Sequence, residues 1–163
     1  MNRKGNVFIE LVFLLIFVVA IAMVALPMRE LVSDLNTELQ AEPDLNTGSK
    51  EIMQGVDDNY ASMVDVGFIL LVFFFWIAML IGSYMIDSYP VFIIIFIILI
   101  AITVILGAEF SNMYADMGED YQLEQFPMMT HFFNNIVAYL IFIGFSVSMV
   151  MFAKYRGVGG GGF

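Results

Sequence analysis

Glu10 is the carboxylate of this chain that stands at the mouth of an apolar run, and an acid inside a bilayer is costly enough to be a functional candidate by default. Three readings of it stand open. It can sit at the interface within reach of headgroups and water, pair with a neighbouring chain during assembly, or couple proton or cation movement. Asp57-Asp58-Asn59 and Asp116 with Glu119-Asp120 offer oxygens to a calcium ion, but neither has the ligand spacing of a calcium loop, so a solvated acidic face is expected. His131 is the single histidine, without the partners a metal or catalytic site requires. Asn134 and Asn135 fall at the start of an apolar run, where they can bond across helices or remain at the interface. There is no cysteine, which excludes disulfides and thiolate chemistry. These residue types lead us to expect no catalytic centre, cofactor or metal.

The elements that must position these groups are four stretches without charge: Leu11–Met28, Val66–Ile86, Ser88–Ala108 and Phe132–Ala153. A helix rises ~1.5 Å per residue and the hydrocarbon core is ~30 Å thick, so ~20 apolar residues span it. Hydrophobic residues make up 61% of the 163-residue chain, against ~45–50% in ordinary globular domains. The expected fold is all-α: an integral membrane domain over 1–156 with spans near 7–28, 66–86, 88–108 and 132–153. Acidic outer segments lie at 29–65 and 109–131, and a glycine-rich tail at 157–163. The net charge of −10 is unevenly distributed. Arg3, Lys4, Lys154 and Arg156 flank the termini, whereas residues 29–65 carry nine acids against Arg29 and Lys50. Basic residues near span ends are retained on the cytoplasmic side, so both termini are expected there. An even number of spans then follows, in agreement with the count of runs.

Beyond the first span, Leu31, Val32, Leu35 and Leu39 recur at helical spacing, predicting a stalk that continues past the bilayer. Pro43 to Ser49 marks a break, and Ser49 is expected to cap a short second helix through Tyr60. Asp87-Ser88-Tyr89 leaves room only for a tight hairpin, with Pro90 in the first turn of the third span. A surface-lying helix is expected before Pro127. Ala78/Gly82, Gly107/Ser111 and Gly144/Ser148 are small-residue pairs at spacing four that permit close helix packing.

Arg3-Lys4-Gly5 followed by Asn6-Val7-Phe8-Ile9-Glu10 and an apolar run resembles the leader of type IV pilin-like (class III) proteins. The resemblance covers residues 1–26. It implies cleavage after Gly5, Asn6 as the new terminus, and Glu10 as the acid that registers packed subunits. Asn6 departs from the usual first residue, and such subunits have one span followed by a soluble head. In size, hydrophobicity and span count the whole chain resembles the small multi-span membrane proteins of lipid-containing viruses. The expected role is therefore non-enzymatic: a structural or assembly protein of a membrane, most simply a virion membrane, packed beside further copies or capsid proteins and binding no specific nucleic acid. The alternatives are a small transport or channel subunit using Glu10, or a pilin-like or holin-like protein.

Overall fold

The computed structural model describes residues 6–85, 90–118 and 120–159, with side chains within 12–85, 94–118 and 120–154. Arg3, Lys4, Gly5, the Asp87–Tyr89 link, Glu119 and the end of the glycine tail lie outside the described residues, as do the Glu10 and Arg156 side chains. The described residues form helices and no strand: α1 (Asn6–Ala41), α2 (Thr47–Met85), α3 (Pro90–Met117), one 3₁₀ turn (Leu123–Gln125), α4 (Pro127–Asn134) and α5 (Ile136–Gly159). Among them α1, α2, α3 and α5 are long and apolar enough to cross a membrane. The chain is an all-α, multi-pass membrane protein.

Span three shows why lipid decides the local structure. Its run of Ile and Val would favour a strand in water, but in hydrocarbon each backbone group must bond within its own segment, and α3 results. α1 is one helix of 36 residues that passes through Pro27 and continues beyond the apolar run to Ala41. Proline has no N–H, so no intrahelical bond reaches the Met23 carbonyl and that turn is a weak point.

The four long helices form a ring in the order α1, α2, α5, α3. Their directions follow from who touches whom. Phe17 meets Phe75 at 5.9 Å between ring centroids, while the Tyr60 hydroxyl donates to the Ala25 carbonyl at 3.3 Å, so α1 and α2 are antiparallel. Gly107 lies against Leu140, and Gly144 against Ile100, so α3 and α5 are antiparallel too. Asp65 touches the start of α4 and Trp76 donates to Ser146 Oγ at 2.9 Å, which makes α2 and α5 parallel. The described ends of α1 and α5 therefore share one end of the bundle.

Three expectations need correcting. No second short helix ends near Tyr60: α2 is one helix of 39 residues from Thr47. Its start is capped by Asn46, whose Oδ1 accepts the Ser49 N–H at 2.8 Å, so Ser49 is the capped residue and not the cap. In the 109–131 segment α3 continues to Met117, and the short helix begins at Pro127 instead of preceding it. The apolar run from Phe132 is divided at Asn135, which separates α4 from α5.

A buried aromatic cluster lies at the end of the bundle that carries α4. Leu26, Phe68, Phe126, Met129, Phe132 and Phe133 are all buried together. Ala22, Ala25 and Leu26 are covered by protein on this side, although the apolar run alone would assign them to lipid. Of the cluster, Phe126 and Met129 fall outside the apolar runs, where water drives burial and each large side chain removed from it contributes about 1.5–3 kcal/mol; the others lie in the runs themselves, where close packing holds them.

Candidate functional site

Above this core the α1–α2 hairpin carries a connected set of polar side chains. Arg29, 19% exposed, pairs through Nη1 with Asp57, 12% exposed. Its Nε donates to Gln125 Oε1 at 2.7 Å, tying α1 to the turn before α4. Asn36 is buried and donates to Asp57 Oδ2 at 3.0 Å and to Gln54 Oε1 at 3.1 Å. Farther out, Gln40 donates to Asn36 Oδ1 and to the Lys50 carbonyl, and the Lys50 ammonium returns a bond to the Gln40 carbonyl at 2.8 Å. The hairpin is thus zipped along its length, with one reciprocal pair at Gln40 and Lys50. Burial pushes the Tyr60 phenol above its ordinary value, and the nearby Arg29 charge works against that rise.

Asp65 lies eight residues along α2 from Asp57, about 12 Å deeper at ~1.5 Å per residue. It is 3% exposed. Its Oδ2 accepts the Met128 N–H at 2.8 Å and its Oδ1 the Met129 N–H at 2.7 Å. Those are the first-turn amides of α4, whose own N-cap position is Phe126 and provides no side-chain acceptor. Asp65 thus caps a helix remote in sequence, placing a negative charge at the positive end of its dipole. The other side of the join is closed by Thr130, whose Oγ1 donates to the Leu123 carbonyl and lies 3.1 Å from the Tyr114 hydroxyl. Since the single Thr130 proton is committed to Leu123, the Tyr114 hydroxyl is the donor in that pair. An open cleft of ≈ 440 Å³ remains between the stalk and the turn, with Arg29, Glu30, Asp34, Tyr121 and Gln125 on its walls.

The residues singled out by sequence separate into several places. Asn134 and Asn135 are exposed at the α4–α5 junction, and Asn135 Nδ2 donates to the His131 carbonyl within its own turn. His131 is exposed, edge-on to Tyr139. The Asp57-Asp58-Asn59 triplet is not convergent: Asp57 faces Arg29, Asp58 accepts from Gln54, and Asn59 bonds back to Gly55. Among the described residues no three His, Asp or Glu side chains come together as metal ligands. Gly107 and Gly144 are buried in the α3–α5 contact and Ser148 bonds to the Gly144 carbonyl, whereas Ala78 is exposed and Gly82 and Ser111 are half-buried.

Sequence reasoning missed Asp65, counting it merely as one of the outer acids. A signal was present: α4 starts Phe126-Pro127, with no capping side chain of its own, so its acceptor had to come from elsewhere. Arg29 was likewise read only as a charge. Replacing Arg29 with methionine is expected to cost about 2–3 kcal/mol, because Asp57 is then left largely buried beside Asn36 without its cation. Asp57→Asn in the same background should recover part of that loss. A double-mutant cycle followed by unfolding in detergent measures the coupling.

Compared with known protein families, curated proteins and solved structures, the chain matches none.

Proposed function

We propose that this protein is a structural or assembly component of a membrane, most simply of a lipid-containing virion, with both termini on the cytoplasmic side and the acidic hairpin on the other. The observation that carries this reading is the use made of the buried and half-buried polar groups among the described residues. Asp65 fastens α4, Asn36 and Asp57 fasten the stalk, Trp76 joins α2 to α5 through Ser146, and the Thr103 and Ser83 hydroxyls bond to carbonyls of their own helices. Each holds one element to another or satisfies itself. A conducting path would instead keep polar groups available to a passing ion or solute.

The stalk supports the same reading. A rigid, acid-rich hairpin standing off the bilayer offers a surface for lateral or capsid contacts, and its negative charge suits the side away from nucleic acid. The test is whether the protein co-purifies with membrane-containing particles in stoichiometric amounts. Its absence from them, together with ion or solute flux in liposomes that Glu10→Gln abolishes, would overturn the proposal in favour of a transport subunit.

A further inference from the structure

One face of α2 has no partner within the chain and yet is patterned as though it had one. Ile52, Val56, Asn59, Met63, Val66, Leu70 and Phe73 alternate steps of four and three residues, the spacing of a coiled-coil seam, and all are exposed. The stripe runs without a break from the stalk into the span. Lipid can cover Val66 to Phe73. It cannot cover Ile52, which stands ~20 Å beyond Asp65 at ~1.5 Å per residue and is 72% exposed, as is Met63. Apolar side chains held in water in a row interrupted only by Asn59 mark a protein contact.

We infer that this face of α2 is the seam of a parallel homodimer, packed on the same face of a second copy; the inference rests on the assembly reading and names the surface it uses. Three further features select a second copy over another occupant. Copies inserted in one membrane share an orientation, so a two-fold axis along the membrane normal sets α2 beside α2, parallel and in register. Asn59 then meets Asn59. One of its amide hydrogens goes to the Gly55 carbonyl at 2.8 Å, and an amide retains a second donor and an acceptor to exchange across the axis. A single polar residue in such a seam is the device that fixes register and strand number.

Charge is arranged to permit this. Glu51, Asp58 and Asp65 share one heptad position and Asp57 takes the adjacent one, so all the acids of the helix fall away from the seam. Asp57 is turned to Arg29 and Asp65 to α4. Acids facing one another across the seam would oppose the pairing of two copies, and the seam holds none. The positions flanking the seam include Gly55, Ser62 and Gly67. A Cβ added at Gly55 or Gly67 would meet nothing within 4 Å, unlike one at Gly107 or Gly144, so intrachain packing does not account for these mid-helix glycines. A second helix approaching closely does.

The natural chain has no cysteine, so single-cysteine variants can be cross-linked by oxidation in membranes without background. Asn59→Cys, Met63→Cys and Val66→Cys are expected to give disulfide-linked dimers, while Asp58→Cys stays monomeric. Adding Gly55→Leu and Gly67→Leu leaves the monomer folded, since the space is open, and abolishes the dimer band. No cross-link at the seam, equal cross-linking at Asp58, or indifference to the leucines overturns the inference. If seam cross-links fail while the protein still co-purifies with particles, this surface is wrong and the assembly role stands. If the protein is missing from particles, the assembly role falls whatever the cross-links show.

Discussion

Asp65→Ala will loosen the first turn of α4, although Phe68 still packs on Phe132 and Phe133, and lower the stability of this end of the bundle by about 3 kcal/mol. Two amides of α4 lose a charged acceptor in a site that water scarcely enters, at about 1.5 kcal/mol or more for each such bond. The effect should be local. Hydrogen exchange at Met128 and Met129 will accelerate by orders of magnitude, and protease will cut within 118–130, while the lower halves of α3 and α5 stay protected. Asp65→Asn is the informative intermediate: one amide oxygen can serve only part of what two carboxylate oxygens do, and its NH₂ would face the helix N–H groups. It should fall between wild type and alanine. Unchanged exchange at Met128 and Met129 in Asp65→Ala would show that the cap is dispensable.

Gly144→Ala should disrupt the α3–α5 contact although the added methyl is small. A Cβ there would lie 2.7, 2.9 and 3.0 Å from three carbons of Ile100, and a β-branched side chain near its stem has few rotamers into which to retreat. Overpacking of this kind costs about 1–3 kcal/mol. Gly107→Ala is expected to be milder, because it meets the flexible end of Leu140. Ile100→Ala in the Gly144→Ala background should restore stability, measured as resistance to unfolding by a denaturing detergent. Failure of that rescue would mean that Gly144 is needed for a reason other than closeness to Ile100.

The cap and the glycine contacts were visible in the sequence to different degrees. Gly107 and Gly144 each stood in a small-residue pair at spacing four, so their packing role was readable in advance; that both belong to one interface was not. Ala78, from an equally suggestive pair, ends up exposed. Spacing reports only that a helix face is narrow. It contains nothing about which neighbour comes near.

What this sequence determined by itself was the set of membrane-crossing helices, because hydrocarbon thickness and the need to satisfy backbone groups act on each segment separately. The length of α1 past Met28 followed in the same way, from helical periodicity in Leu31 to Leu39. Only the tertiary structure decided that Asp65 caps α4, that Arg29 reaches both Asp57 and Gln125, and that Asn36 is buried in the stalk. These pairs are 21 to 96 residues apart, and their bonds depend on the side-by-side placement of helices. Local chemistry chooses a helix; which of its polar groups find each other is settled only when the helices pack.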